Sequence, residues 1–359
     1  MQESAAVPVA KQVARQNYDT AGKASARSHW AQLLTAGCSA QDLAAAQVLF
    51  FPSEGVGELP HYRMHGLQMA NLHGVEWKSA AAKRIPAAAS GFALHQMSAT
   101  AFLEEWLSMH DDRFLGIWLD YDGSYTSFPK DIALAMRALT TAAKPCLGVT
   151  SHGARDRDAI TGSALGFALL RSCFTPAFGT LLIDELRMDF LGCQRFEELQ
   201  RRRVSQAEGV VLTNTIAREV NFIAQIIWAL GCEADPEFDS SLASTVQRIE
   251  ELSKPQLEAR HHRVRSDSVI PHIDVPFLRK KIVETRVRRW PVKIIRFRYP
   301  VSGKGAPMFA WFLRFECGSP RSLIDVFQGV VTQWVGSELH DYMQREKRFK
   351  TIAGCYFCR

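Results

Sequence analysis

Five short apolar runs, each closing on a loop rich in Gly, Ser or acidic residues, constrain the fold of this chain more than any other feature. Residues 47–52 (QVLFFP) lead into Ser53-Glu54-Gly55-Val56-Gly57-Glu58, and residues 70–77 (ANLHGVEW) carry Glu76 near their end. Residues 91–97 (GFALHQM) lead into Ser98-Ala99-Thr100, residues 114–119 (FLGIWL) into Asp120-Tyr121-Asp122-Gly123, and residues 145–150 (PCLGVT) into Ser151-His152-Gly153. Helix-like sequence separates the runs at a spacing of roughly 20–30 residues, which predicts βα units feeding a parallel sheet. The runs are continuously apolar, not alternating, as strands buried on both faces must be. Their polar residues gather at the carboxyl ends, where open α/β sheets bind ligands.

Beyond residue 160 the pattern changes. Residues 160–285 read mainly as helix, with 162–190, 217–230 and 241–259 as candidates. Residues 291–299 (PVKIIRFRY) and 307–316 (PMFAWFLRFE) read as an antiparallel hairpin around Val301-Ser302-Gly303-Lys304-Gly305. Ser319-Pro320 is a helix start signal. The stripe Ile324, Phe327, Val331, Trp334, Val335 and Leu339 that follows predicts a core-facing helix. The first forty residues read as a helical arm with Tyr18, Trp30, Leu33 and Leu34 as burial candidates.

Composition narrows the class. No apolar run approaches the ~20 residues of a membrane-spanning helix, so no membrane partner is expected. The opening MQESAAVPVAKQVARQ has no apolar core of the secretory kind; it reads as a solvent-facing arm, with an organelle transit peptide as the alternative. Cys146, Cys173, Cys193 and Cys232 lie in apolar sequence and read as small buried hydrophobes. Cys355 and Cys358 form a tight pair with no second pair to complete a zinc site, so no metal is expected. A reducing intracellular compartment, cytoplasmic or nuclear, follows as the expectation. The formal charge is +6, and residues 259–298 hold twelve Lys and Arg against three acids, Asp267, Asp274 and Glu284. That basic patch suits a phosphate-rich partner such as nucleic acid, and also suits a solvated face. Trp290 and Tyr299, interleaved with its arginines, are either base-stacking rings or hairpin core.

The loops carry the chemistry. Glu76 lies 19 positions after Gly57, and an acid about 20 residues beyond a Gly-bearing turn is placed to accept both ribose hydroxyls of a nucleoside. Ser53, Glu54, Gly55 and Gly57 supply that turn without matching GxGxxG, and the acids Glu54 and Glu58 would repel a pyrophosphate but not a ligand with a cationic centre. Met97, Ser98 and Ala99 offer a soft apolar surface for an adenine ring. Asp120, Tyr121 and Asp122 end a strand that is otherwise apolar, where burying carboxylates is costly unless they bind something.

In this order the motifs resemble the Rossmann-type S-adenosylmethionine-dependent methyltransferases. The resemblance implies that Ser53 to Gly57 cradle the methionine part, Glu76 binds ribose, Met97 to Ala99 contact adenine, and Asp120 to Asp122 face the transferred methyl. It spans residues 45–155 and 288–317. It implies a Rossmann-like α/β fold with a largely parallel sheet of about seven strands, a terminal antiparallel hairpin and a helical insertion. The organisation expected is a helical arm over 1–44, a cofactor-binding half over 45–160, a mainly helical insertion over 161–287, and hairpin plus C-terminal helix over 288–359. The implied activity is methyl transfer from S-adenosylmethionine, with nucleic acid held through 259–298 as the candidate acceptor.

Two other readings stand beside it. LDYDGSYTSF also resembles the first motif of haloacid-dehalogenase-type phosphatases, which implies Asp120 as nucleophile, Asp122 as general acid, Mg²⁺ as charge neutraliser and Thr150-Ser151 at the phosphate. That family's nucleophile strand comes early in the chain, so the position of the Asp120 strand within the sheet separates the two. The third reading is a non-catalytic module on the same fold that holds nucleic acid through its basic patch.

Overall fold

The computed structural model describes residues 20–121, 129–152, 222–235, 237–238, 276–299 and 308–330. A seven-stranded sheet forms its centre, built from β1 (Gln47–Phe50), β2 (Leu72–Val75), β3 (Ala93–His95), β4 (Phe114–Asp120), β5 (Cys146–His152), β6 (Arg286–Tyr299) and β7 (Met308–Ser322). The spatial order is β3-β2-β1-β4-β5-β7-β6. β1 to β5 pair in parallel, β7 pairs antiparallel with β5, and β6 antiparallel with β7. The fold class is therefore mixed α/β with a mostly parallel sheet and an antiparallel end, as the strand-like runs predict.

The continuous apolar runs are explained by helices on both faces. On one face lie α1 (Ala21–Thr35), the short α2 (Ala40–Ala45) and α3 (Leu59–Met64); Trp30, Leu34 and Tyr62 pack there on Val48, Phe50, Trp118 and Phe312. Short helices α4 (Ser79–Ala82) and α5 (Ala87–Ser90) link β2 to β3. On the opposite face α6 (Ala99–Met109), α7 (Pro129–Ala138) and the helical residues 222–234, here α8, cover Leu49, Ile117, Leu147 and Trp311. Gly116 of β4 lets α1 approach closely: a Cβ there would stand 2.4 Å from the Leu34 side chain. Trp30, Leu33 and Leu34 are buried as the sequence predicts; Tyr18 lies outside the described residues.

Several boundaries differ from expectation. β2 and β3 are shorter than the runs 70–77 and 91–97, because only their central residues reach a neighbouring strand. The hairpin is longer, with Arg286 paired to Ser322 at its far end. Register shifts at Val287/Arg289 and Pro291/Lys293 absorb Pro291, which an edge strand tolerates. Ser319-Pro320 does not start a helix: both lie within β7, between the paired Cys317 and Arg321, and helix begins at residue 323. The local start signal loses to cross-strand pairing with β6. Trp290 and Tyr299 are buried, as hairpin core residues and not as exposed base-stacking rings. In the predicted insertion the helix expected over 217–230 is described from 222, and α9 (Pro276–Glu284) precedes β6. The candidates 162–190 and 241–259, the C-terminal stripe beyond 330 and the Cys355/Cys358 tail lie outside the described residues. Among the described residues no helix is long and apolar enough to cross a membrane.

A histidine pair ties β2 to β3. His73 Nδ1 lies 3.2 Å from His95 Nε2, and His73 Nε2 lies 2.8 Å from Gln47 Oε1. The Gln47 oxygen only accepts, so His73 donates from Nε2 and takes the His95 N–H at Nδ1. Burial first, then the nearby His95 and His110, push His73 down from 6.5 to about 4. The unfolded chain therefore takes up a proton near its ordinary value while the folded chain does not. This contribution to stability is complete above the unfolded value and is lost as pH falls from there toward about 4. Urea unfolding at about pH 7 and about pH 5 should differ by about 1–2 kcal/mol after allowing for partial solvent screening. The difference should shrink in His73→Phe; an unchanged difference would assign the pH sensitivity elsewhere.

Candidate functional site

The strand order reverses between β1 and β4: the chain steps outward to β2 and β3, then returns across β1 to β4 and β5. A doubly wound sheet opens a crevice at such a switch point, at the carboxyl ends of the strands. The loop after β1 and the end of β4 flank it here, and two buried ion pairs fill its α1 side.

Lys23, in the first turn of α1, donates from Nζ to Asp120 Oδ2 at 2.9 Å, with both side chains about nine-tenths buried. A cation at a helix N-terminus opposes the helix dipole. Burial alone would lower the Lys23 ammonium, yet the Asp120 and Glu58 carboxylates outweigh it and hold it above its ordinary value. One turn further, Arg27 Nε donates to Glu58 Oε1 at 2.8 Å, with 5% and 2% of the side chains exposed. The guanidinium rests on Gly57, where a Cβ would lie 2.5 Å from Nη1. Gly57 is thus required for contact with Arg27. Glu58 Oε2 and the Tyr299 hydroxyl are buried beside these pairs without a hydrogen-bond partner. Burial first, then Asp120, push the Tyr299 phenol up.

The loop residues named from sequence divide into groups. Glu54 turns outward to Arg84, 2.6 Å away, and Glu58 is neutralised by Arg27. The loop therefore presents no unpaired acids of the kind expected to repel a pyrophosphate. Ser53 accepts the Val56 N–H at its carbonyl, and Val56 in turn accepts from Leu59. Val56 has φ 40° and is the one non-glycine residue at positive φ among the described residues. A β-branched residue there stores strain of about 1–3 kcal/mol, which typically collects at ligand loops. Gly55 lies exposed at the tip of this turn.

Glu76 follows β2, its backbone N–H donating to His95 O and its Oε1 accepting the Lys78 N–H at 2.8 Å. Trp77 beside it is 68% exposed, with the Lys78 ammonium 5.3 Å from its ring centre. Trp77, within the apolar run 70–77, lies instead just beyond β2, and an aromatic directly after a strand-ending acid is the local signal for it. Met97 packs against the core edge, Ser98 caps α6 by accepting the Ala101 N–H, and Ala99 is buried under it.

Tyr121 is turned away from the α1-side ion pairs. It is buried against Phe51, and its hydroxyl donates to Asp131 Oδ2 at 2.6 Å, while Thr100 donates to the other Asp131 oxygen. Asp131 of α7 thereby clasps the first turn of α6 and the residue after β4, and Tyr121 acts as wall and brace. Asp122 lies outside the described residues. At the end of β5, Thr150 accepts the Trp118 indole N–H at 2.9 Å, and Ser151 Oγ is buried without a partner. Among the described residues no group of three or more acids, histidines or cysteines is arranged to hold a metal ion.

No protein-family model matches the chain, and no curated protein sequence matches it.

Proposed function

We propose that the chain binds S-adenosylmethionine at the carboxyl edge of a Rossmann-like sheet and transfers its methyl group to an acceptor. The strand order carries this reading: the first five strands follow the 3-2-1-4-5 order of dinucleotide-binding sheets, and β7 enters antiparallel beside β5. Glu76, Met97 to Ala99 and Asp120 thus end β2, β3 and β4 along one edge, in the sequence the methyltransferase resemblance implies. Asp120 ends the fourth strand in chain order and not the first, which weighs against the phosphatase reading.

The side chains fit such a molecule. Glu76 is a hydrogen-bond acceptor for ribose, and the exposed Trp77 gives adenine an apolar face. The methionine end carries a carboxylate and an ammonium, and would sit against the α1 side of the crevice, where the Lys23–Asp120 and Arg27–Glu58 pairs are already closed. When bound, the sulfonium supplies an activated methyl group, and transfer needs in-line placement of the acceptor more than covalent help. Asp120, ion-paired with Lys23, orients the acceptor or takes its proton.

Calorimetric titration with S-adenosylmethionine should give saturable binding, weakened about tenfold to a hundredfold by Glu76→Ala through loss of a charged acceptor. No binding by the unaltered chain, together with a Mg²⁺-dependent phosphatase activity lost in Asp120→Asn, would replace this reading with the other.

A further inference from the structure

We infer that the outer edge of β6 is a phosphate-binding track for nucleic acid, leading to the crevice; as the route of the methyl acceptor it rests on the reading above. β6 is the last strand of the sheet, and its outer side meets no other strand among the described residues. Its 14 residues extend about 45 Å, and it runs in the same direction as β1 to β5. The strand therefore begins at the far edge of the sheet and ends at the ligand edge. Its last residue, Tyr299, meets α1 at Gly22, where a Cβ would stand 2.3 Å from the Tyr299 Cβ, next to the Lys23 that binds Asp120.

Along this edge the charge is of one sign. Residues 286–299 contain five Arg, one Lys and no acid. Arg286, Arg288 and Lys293 are exposed, and Arg321 of β7 is exposed with its guanidinium 3.9 Å from the Trp290 ring centre. The neighbouring carboxylates are engaged elsewhere: Glu316 with Lys144, Glu284 with Lys280, and Glu233 with Arg289. Arg286 Nη1 donates to Val283 O at 2.7 Å, whereas exposed Arg288 and Lys293 have no partner among the described residues and are left for a ligand.

Edge strands also carry charges to block pairing with other chains, and lysine is the usual residue for that purpose. Here arginine dominates, and its planar fork matches phosphate oxygens two at a time. A phosphodiester chain supplies charge at regular intervals along an extended path, which a folded acidic protein surface does not.

The test is anisotropy binding of fluorescent single-stranded RNA to the full chain over a salt series, with DNA of the same sequence and polyglutamate in parallel. Affinity should fall steeply with salt, and polyglutamate should bind far more weakly. In Arg288→Ser/Lys293→Ser the affinity should fall at least about tenfold, and the slope of log K against log salt should lessen by about 1.4 for two lost contacts on a single strand. An unchanged thermal melt controls for folding. Preference for RNA or for DNA identifies the source of the phosphates. Absence of nucleic-acid binding, equal binding of polyglutamate, or an unaltered double variant would overturn the track and leave the charges as edge protection. Salt-dependent RNA binding without S-adenosylmethionine binding would keep the track and remove the methyl-transfer reading instead.

Discussion

Arg27→Met should cost about 3–5 kcal/mol of stability, because it leaves the Glu58 carboxylate buried and uncompensated. Glu58 is 2% exposed, so water cannot replace the lost guanidinium. Its second oxygen already lacks a partner, which leaves the carboxylate little alternative bonding. The substitution also opens space against Gly57, since the guanidinium fills the room a side chain would occupy there. Urea unfolding is the measurement. Arg27→Met/Glu58→Leu should recover most of the loss, because removing both charges removes the desolvation problem. Equal destabilisation in single and double variants would mean that packing, not charge, sets the cost.

Arg289→Met should cost a similar about 3–5 kcal/mol, from the other end of the molecule. Arg289 is 2% exposed. Its guanidinium donates to Met136 O at 2.6 Å, Leu139 O at 2.9 Å and Thr140 O at 3.2 Å, and pairs with Glu233 at 3.3 Å. These carbonyls close the C-terminal end of α7, where the helix leaves acceptors unsatisfied and its dipole favours a cation. Glu233 is pushed up by burial, and Arg289 opposes that shift. Arg289→Lys should rescue only a minor part, since a point ammonium cannot reach several carbonyls as a planar fork does. Full recovery with Lys would show that charge alone matters.

Arg289 illustrates where sequence reasoning stops. It belongs to the run of twelve basic residues over 259–298, and nothing local separates it from Arg288 beside it. In the fold one is buried under α7 and the other faces solvent. Side chains alternate across a strand, so Arg289 turns with Val287 to the covered face and Arg288 with Arg286 to solvent, and which face is covered depends on the helices packed against the sheet. Lys281 is likewise engaged, with Asp235 and Glu237, so the basic segment offers fewer cations to a partner than its composition implies.

The parallel strands were legible because burial on both faces demands unbroken apolar runs, and FLGIWL or PCLGVT has few other solutions. The location of the polar carboxyl edge was legible for the same reason, since polar residues can collect only where the buried strands end. Asp120 could thus be identified as a strand-ending carboxylate from the chain alone. Its partner could not, because Lys23 is 97 residues away. Likewise the contrast between Asp120, paired to α1, and Tyr121, locked to Asp131 of α7, follows from the alternation of side chains across a strand once both faces are covered. The sequence by itself determined which segments are strands, that they lie parallel, and where their polar ends fall, because these follow from local hydrophobic patterning. Only the tertiary structure decided which charges are neutralised inside and which remain for a ligand, because a charge's partner is chosen by proximity in space and its strength by exclusion of water.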